Sequence, residues 1–448
     1  MQMMKDKKKK YIAWLFFLGV IIGYHLLMRE YRGDSINTFS KYLENNSLYE
    51  ILVQRYNLWT SRVIIEIPLI LLSHNMHIIV WKVCDIAVWI ALAWSLMYLT
   101  HHKNDGMVLG LILVYPVIEM ASAGWMPTTI NYLWPLTAGC IALVSLDKMY
   151  FGKKIYMCEA IGYLAFELFA TNFETVGVMY GCILVWYAVH FCIDRRPKIK
   201  ELVFWVLQIL IAAGNVLFAL TCPGNNVRKH SEIGTWMKEF AQWTVIDKFV
   251  VGVNTTLHGL TDSNIIFLIF SMIILVVCIC YKKYSNKIII IGVIPVIFCL
   301  TRTLLKPVIG IYFPVYNEIF DSINKIDAAN YSKAALYFPF IIYIILLIAI
   351  MVALVNIAES IGKSLEYIVL FISGILTRVI IGFSPTLYVS GNRTFIYLDF
   401  VMIYLCVSIF SENKEKMESN PRLYALIRHG FMCLMGIAII GNLISINN

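Results

Sequence analysis

The chain opens with "MQMMKDKKKKYIAWLFFLGVIIGYHLLM", residues 1–28, in which a strongly basic head precedes an apolar run. A run of about 18 apolar residues is long enough to cross a hydrocarbon core of about 30 Å as a helix. The same order of charge and hydrophobicity occurs in signal peptides, but no small-x-small cleavage site follows here. The stretch therefore predicts a first membrane-spanning helix that is retained.

The rest of the sequence has the same apolar character. Of the 448 residues, 60% are hydrophobic and 15% are charged, and the mean hydropathy is +0.73, a composition outside the range of ordinary soluble domains. We predict an all-α, polytopic membrane protein that forms a single transmembrane domain, residues 1–448, with about 12–13 spanning helices. The predicted spans are 11–28, 77–99, 106–121, 131–147, 155–171, 175–192, 201–221, 262–281, 287–301, 335–356, 365–384, 395–410 and 429–445.

The positive charge indicates the orientation of these spans. A net charge of +9 is compatible with nucleic-acid binding, but the Lys and Arg residues cluster in short turns between spans, which the positive-inside rule explains without any nucleic acid. The N-terminus is then cytoplasmic, and three long loops, about 29–76, 222–261 and 302–334, face outward. Apolar residues at helical spacing within 236–253 predict a helix in one of these loops, which either lies in the membrane interface or covers the ends of other helices.

Several kinds of chemistry lack support in the sequence. It contains no Walker A sequence, no dinucleotide-binding glycine pattern, no HExxH and no GxSxG, which are the patterns typical of ATP hydrolysis, hydride transfer, zinc proteolysis and α/β-hydrolase chemistry. The 11 cysteines fall mostly inside apolar runs without a CxxC pair, so neither a disulfide framework nor a zinc site is indicated.

Basic residues in the outward segments are candidates for binding a phosphate. A planar guanidinium at the head-group level can bind phosphate through paired hydrogen bonds, although an arginine at a helix end can also extend to ordinary phospholipid head groups. Glycine and asparagine beside Arg228 and Arg393 predict tight turns that expose backbone N–H groups to an anion. The basic candidates are Arg29, Arg32, Arg62, Arg228, Lys229 and Arg393, and the neighbouring Asn225 and Asn226 are candidates with them.

Carboxylates near the predicted outer surface form a second set. A charge there costs several kcal/mol unless it faces water or a partner, so we expect several of them to line one polar cavity. Asp34 belongs to this set and lies in the first outer loop just beyond the first span, with an ordinary exposed loop aspartate as the alternative interpretation. Glu66 follows Arg62 by one helical turn, which predicts an ion pair between them, and Asp85 and Lys82 are interpreted in the same way. The remaining members are Glu119, Glu167 and Glu174.

Aromatic side chains near the outer ends of spans form a third set, which includes Trp59, Trp125 and Tyr132. Aromatic belts at the membrane interface account for most such residues in membrane proteins. The stretch "GWMPTTINYLWP", residues 124–135, is denser than a belt requires, and flat rings beside Asn131 suit the apolar face and the hydroxyls of a sugar.

The arrangement resembles the GT-C class of polytopic glycosyltransferases, and in particular bacterial cell-envelope enzymes of the O-antigen glucosyltransferase-like kind. The resemblance rests on a first span followed by a long outer loop with an early aspartate, in "YRGDSINTF", and on "YNLWTSR", "CPGNNVR" and "SPTLYVSGNRTF" at later outer positions. The sequence departs from the acidic pair common in that first loop, because Asp34 is followed by Ser35.

The resemblance implies transfer of a sugar from a polyprenyl-phosphate donor to a glycan or lipid-linked acceptor on the outer face of the cell membrane. Asp34 is then the candidate general base, with Glu119 and Glu174 as the other catalytic candidates, and the arginines would hold the donor phosphate. No cofactor is implied, and a divalent metal is left open. The expected partners are the lipid-linked donor, the glycan acceptor, membrane lipid and a small glycosyltransferase that makes the donor. A transporter or flippase of lipid-linked oligosaccharide is the alternative, and a structural membrane protein comes third.

Overall fold

A computed structural model describes residues 2–31, 33–194, 198–262, 264–280, 286–321 and 333–447. These residues form helices and no strand, which confirms the all-α prediction. Within these ranges nine helices are long and apolar enough to cross a membrane, or up to eleven if each of two bent helix pairs is one span. The chain is therefore a multi-pass helical membrane protein.

Eleven of the thirteen predicted spans correspond to these helices and bent pairs. The other two, 106–121 and 155–171, contain the shorter helices Asp105–Val114 and Met157–Thr171. The first of these ends before Pro116, whose ring restricts the preceding residue to extended conformations. The second has 15 residues, which at 1.5 Å per residue is about 22 Å, less than the thickness of a bilayer core.

The chain forms two compact units, of which the first comprises Met1–Ser231 and Leu434–Asn448. The prediction of one transmembrane domain stays a prediction. The helices of the first unit are α1 (Gln2–Leu27), α2 (Asp34–Asn37), α3 (Leu48–Leu58), α4 (Val63–Ser73), α5 (Ile78–Leu99), α6 (Asp105–Val114), α7 (Trp125–Thr128), α8 (Trp134–Tyr150), α9 (Met157–Thr171), α10 (Glu174–Asp194) and α11 (Ile199–Thr221).

The interior of the first unit combines an aromatic core with a helical bundle. Trp81 and Trp89 of α5 are buried, and the ring of Trp89 lies 6.4 Å from that of Tyr115. Helices α8 to α11 pack against one another and form the bundle. Between the helices, short 3₁₀ or π segments connect the ends at Phe39–Glu44, His74–Met76, Val117–Ala121 and Thr129–Leu133.

The C-terminal segment of the first unit is held by one asparagine. Asn442 is buried, and its side-chain amide donates to the carbonyl oxygen of Tyr115 at 3.0 Å and to the hydroxyl of Tyr24 at 3.3 Å. Its carbonyl oxygen accepts a hydrogen bond from the backbone N–H of Val117 at 3.1 Å. One side chain therefore connects this segment with α1 and with the segment that follows α6.

The second unit comprises Glu232–Cys433. The unit boundaries fall within two helices, α12 (Pro223–Trp236) and α22 (Pro421–Asn447). The other helices of this unit are α13 (Val245–Asp262), α14 (Ile265–Cys280), α15 (Asn286–Arg302), α16 (Lys306–Tyr312), α17 (Pro314–Asp321), α18 (Phe338–Ile357), α19 (Ile361–Val379), α20 (Ile396–Glu412) and α21 (Lys414–Glu418).

The helix predicted within 236–253 is interrupted in the structure. A 3₁₀ turn occupies Lys238–Gln242, and the α-helix starts again at Val245. Phe240 and Trp243 belong to a buried apolar cluster with Met237, Val250, Val251 and Leu387. Much of the predicted apolar face is therefore packed inside the second unit.

Candidate functional site

The segment after α1 forms one wall of an open cavity. Gly33 has a φ of +123°, and the backbone N–H of Asp34 donates to the carbonyl oxygen of Ala123 at 3.0 Å. A Cβ at position 33 would lie 2.6 Å from that oxygen, so only glycine permits this close approach. The cavity measures about 560 Å³ and is lined by Gly33, Asp34, Asn37, Ile118, Ala121, Ser122, Ala123 and Gly124. The predicted base, Asp34, is exposed in this cavity.

The two walls of the cavity are the segment after α1 and the segment of residues 118–124. Glu30 holds these two segments in position relative to each other. It is only 7% exposed, and its carboxylate accepts hydrogen bonds from the hydroxyl of Ser35 at 2.5 Å and from the backbone N–H groups of Trp125 at 2.8 Å and Met126 at 3.4 Å. Burial raises the pKa of the Glu30 carboxyl, while these hydrogen bonds act in the opposite direction. Sequence reasoning missed Glu30, because a glutamate in a loop carries no sign that it will be buried.

Other predicted residues lie around this cavity. Glu119 is half-buried in the turn Val117–Ala121, next to the lining residue Ile118. Trp125 is buried behind the wall, and its backbone N–H donates to Glu30. Arg29 donates to the hydroxyl of Tyr31 at 2.7 Å. Arg32 lies outside the described residues.

A second cluster of predicted residues forms where α4, α10 and α12 begin. Arg62 precedes α4, and its Nε donates to Glu174 at the start of α10 at 2.9 Å. The hydroxyl of Ser61 donates to the other oxygen of Glu174 at 2.9 Å. The buried Asn172 accepts from the backbone N–H groups of Ile64 and Ile65, at 3.1 and 3.3 Å, and so caps α4. "YNLWTSR" and the loop between α9 and α10 thus meet in three dimensions.

The first turns of α12 complete this cluster. The amide of Asn225 donates to the hydroxyl of Ser61 at 3.3 Å, and Arg228 interacts electrostatically with Glu174. Arg228 is half-buried, whereas Asn226 and Lys229 are exposed. The prediction of a tight turn around Arg228 is wrong, because residues 223–236 are helical and "CPGNNVR" is the start of a helix. Two arginines and one glutamate leave this cluster positively charged.

Aromatic rings border this second cluster, which consists of Arg62, Glu174, Asn225 and Arg228 and is called the arginine cluster. The guanidinium carbon of Arg62 lies 3.9 Å from the ring centroid of Phe173, a cation–π contact. The ring of Tyr132 lies 5.2 Å from that of Phe173. Trp59, at the end of α3, is 37% exposed, and the guanidinium of Arg55 lies 5.8 Å from its ring. The sequence predicted Trp59 and Tyr132 for sugar binding, but it missed Phe173.

The ion pair predicted between Arg62 and Glu66 is wrong. Arg55 donates to Glu66 through Nε at 2.8 Å and through Nη2 at 2.5 Å, while Arg62 pairs with Glu174. Helical spacing indicated the nearest arginine in sequence, but α3 folds back and places Arg55 beside α4.

Arg55 also connects the ion pair to the surroundings of Asp34. Its Nη1 donates to the hydroxyl of Tyr42 at 3.0 Å. Burial raises the pKa of Tyr42, Arg55 lowers it, and the negative charges of Glu66 and Asp34 raise it. Asp34 is thus within electrostatic reach of Tyr42.

The pairing predicted for Asp85 with Lys82 is also wrong. Asp85 is fully buried, and its carboxylate oxygens lie 3.0 Å from Nε2 of His25 and 2.8 Å from Nε1 of Trp134. The partners of Asp85 come from α1 and α8, so a search along its own helix could not identify them.

Replacing Gly224 by alanine should destabilise the arginine cluster. A Cβ at position 224 would lie 2.3 Å from the backbone nitrogen of Trp59 and 2.6 Å from the carbonyl oxygen of Tyr56, so α12 would have to move away from the end of α3. We expect a loss of about 1–3 kcal/mol, the usual cost of an overpacked contact, measured by thermal unfolding in detergent.

Gly234→Ala in the same helix is the matched control, because a Cβ there meets nothing within 4 Å. That change should be neutral or stabilising, since alanine is the better helix former. Equal effects of the two substitutions would contradict the close approach at Gly224.

Arg393 belongs to the second unit. It lies in the 3₁₀ turn Asn392–Phe395, which follows Gly391 with a φ of +60°, so the turn predicted at "SGNRTF" is present. Arg393 is half-buried. The guanidinium of the buried Arg378 lies 4.7 Å from the ring centroid of Phe395 in the same turn.

Within the part of the chain that the structure describes, one group of residues has the ligand types and the proximity for a metal ion. Ligand atoms of His258, Asp262 and Asp321 lie within 4.8 Å of one another. However, the fully buried Arg302 donates to Asp321 at 2.7 Å, and Lys306 donates to Asp262 at 2.6 Å. Two cations of the chain already neutralise these carboxylates, which favours a network of ion pairs over a metal centre.

Comparison of the chain with models of protein families, with curated proteins and with solved structures found no match.

Proposed function

We propose that the protein is a membrane glycosyltransferase, which moves a sugar from a polyprenyl-phosphate donor to a cell-surface glycan or lipid-linked acceptor on the outer face of the membrane. The observation that carries the proposal is the clustering of Arg62, Glu174, Asn225 and Arg228, because these residues come from three segments that are far apart in sequence. The resemblance of the sequence to GT-C enzymes supplies the reaction.

The chemistry of the arginine cluster suits a phosphate. Glu174 holds Arg62 through Nε, and the ring of Phe173 lies beneath the guanidinium, so this side chain has a fixed position. A pre-positioned guanidinium binds phosphate oxygens at a lower entropic cost than a mobile lysine does. In the proposed reaction, Arg62 and Arg228 stabilise the negative charge that develops on the leaving phosphate.

The exposure of Asp34 supports a role for this residue toward the acceptor. It is exposed in an open cavity, so an acceptor hydroxyl can reach its carboxylate. As a general base, Asp34 takes the proton of that hydroxyl while the hydroxyl oxygen attacks the sugar carbon and the donor phosphate departs. Among the described residues, the lining of the cavity includes none of the arginines. The proposal therefore assigns the acceptor to the cavity and the donor phosphate to the arginine cluster.

Replacing Arg228 by alanine should weaken binding of a polyprenyl phosphate by about tenfold to a hundredfold, since hydrogen bonds to a charged group contribute roughly 1.5–3 kcal/mol. Lysine should restore little of the binding, because it is a point charge without the planar fork of arginine. Titration of the purified protein in detergent with a polyprenyl phosphate measures the effect. Arg422→Ala is the matched control, since Arg422 is an exposed arginine at the start of α22 and is not a member of the cluster.

If the Arg228→Ala variant binds the polyprenyl phosphate as tightly as the wild type does, the proposal that this cluster binds the donor phosphate is wrong. A reconstitution assay then distinguishes the two functions. Formation of a new glycosidic bond supports the transferase, whereas movement of a lipid-linked sugar across the bilayer without such a bond identifies a flippase and contradicts the proposal.

A further inference from the structure

A buried acid lies inside the bundle of α8, α9, α10 and α11, away from the cavity. Glu167 of α9 has no exposed surface. Among the described residues, neither of its carboxylate oxygens has a hydrogen-bond partner within normal limits of distance and angle. Three helices of this bundle, α8, α10 and α11, belong to candidate membrane spans. An ionisable group in such surroundings is costly and is usually functional.

The polar neighbours of Glu167 come from two other helices of the bundle. They are Gln208 of α11 and Tyr180 of α10. Gln208 is also fully buried, and its Nε2 donates to the hydroxyls of Ser145 at 3.0 Å and Tyr180 at 3.1 Å. The Oε1 atom of Gln208 has no donor within the described residues.

The two carboxylate oxygens of Glu167 and the Oε1 atom of Gln208 are thus three buried acceptors that have no donor among the described residues. Rotating the amide of Gln208 by half a turn would give Glu167 one donor, but it would leave the second carboxylate oxygen without any. A proton on Glu167 removes the charge and supplies an O–H that can donate to Gln208. The local hydrogen bonds therefore favour a protonated carboxyl at this position.

Glu167 is also part of a polar stripe along α9. Glu159, Tyr163, Glu167 and Thr171 recur at every fourth residue and so lie along one side of the helix. Toward one end of the bundle, Nζ of Lys148 contacts Glu159 at 2.8 Å and lies 5.5 Å from the ring of Tyr163.

Toward the other end of the bundle, the stripe reaches Thr171, whose hydroxyl accepts a hydrogen bond from Asn215 at 2.7 Å. Glu174 and Arg62 follow beyond it. The titratable groups along this path are thus the Lys148–Glu159 pair, Tyr163, Tyr180 and the Arg62–Glu174 pair.

We infer that Glu167 is a proton-binding site, and that protons move along the stripe of α9 between the two ends of the bundle through this carboxyl group. In each transfer an O–H bond forms at Glu167 while the donor group or a water molecule loses its proton, and the reverse step releases the proton toward the other end. The inference does not depend on the transferase proposal, since its central residue, Glu167, has no role in that proposal.

Proton flux in liposomes tests the inference. The full-length protein is reconstituted with a pH-sensitive dye inside the vesicles, and valinomycin with a potassium gradient supplies the driving force. The wild type should conduct protons, and Glu167→Gln should reduce the flux to that of protein-free vesicles. Glutamine has nearly the shape of a protonated glutamate but cannot exchange a proton, so size-exclusion chromatography should show a folded variant.

Two further variants complete the test. Glu167→Asp keeps an exchangeable proton and should retain part of the flux, and Glu359→Gln is the matched control at an exposed glutamate and should conduct like the wild type. Wild-type vesicles that conduct no more than empty ones would overturn the inference, as would unchanged flux in Glu167→Gln. Sodium uptake without proton flux would identify an alkali-cation site and would overturn it equally.

Discussion

Replacing Asp34 by asparagine should reduce sugar transfer by about 100-fold or more, the usual contribution of a positioned general base. Asparagine keeps the size of the side chain and its hydrogen-bonding capacity, but it cannot accept a proton at neutral pH. The fold should be unaffected, because the side chain is exposed and the hydrogen bond that anchors the segment comes from the backbone N–H of residue 34. Transfer is measured with a lipid-linked donor, and donor affinity is measured separately.

The controls for this prediction separate chemistry from binding. The asparagine variant should bind the donor as the wild type does, and Asp34→Glu should retain measurable transfer because it keeps a carboxylate. Full transfer by Asp34→Asn would exclude Asp34 as the base, and Glu119→Gln and Glu174→Gln then test the other two candidates. Activity in all three variants would contradict the transferase proposal.

The largest loss of stability is expected for Arg55→Ala. The side chains of Arg55 and Glu66 are 13% and 5% exposed, and two guanidinium nitrogens contact the carboxylate. Removing the arginine leaves a buried carboxylate without its cation, which typically costs about 3–5 kcal/mol. Thermal unfolding in detergent should show a clear decrease in the midpoint temperature. A variant that does not fold at all would also agree with the predicted loss of stability.

A double variant keeps this prediction testable when the single variant fails to fold. Arg55→Met combined with Glu66→Leu removes both charges and fills a similar volume, so it should recover most of the stability lost in Arg55→Ala. Arg62→Ala is a useful comparison, because Arg62 is more exposed and should cost less. If Arg55→Ala unfolds like the wild type, the pair contributes little and the structural assignment is wrong.

The helices of this protein could be predicted from sequence, because each is a local pattern of hydrophobicity. The first span and the spans near 77–99 and 201–221 coincide with helices of the structure to within a few residues. The least accurate predictions concern segments that contain proline or polar residues, such as 106–121, where Pro116 ends the helix, and 223–236, where glycine and asparagine begin one.

The partners of the charged residues could not be predicted in the same way. Glu66 binds Arg55 and Asp85 binds His25, in both cases across tertiary contacts, whereas helical spacing identifies only neighbours along one helix. Sequence nevertheless identified most members of the arginine cluster, because charge in an apolar chain is conspicuous. It missed Glu30 and Phe173, whose importance depends on burial and on stacking.

The hydrogen bonds of Asn442 have a consequence for biogenesis. They join residues near the end of the chain to α1 and to Val117, which begins the turn beside the cavity wall. The first unit is therefore discontinuous in sequence. The whole second unit is synthesised before the last segment of the first unit, Leu434–Asn448. Asn442 follows Val117 by 325 residues in the sequence, so during translation the early helices wait in the bilayer with the polar groups of Tyr115 and Val117 still lacking this partner. A nascent chain stalled before residue 434 should expose this region to membrane chaperones and proteases, which makes synthesis of the segment that contains Asn442 a checkpoint for the cavity.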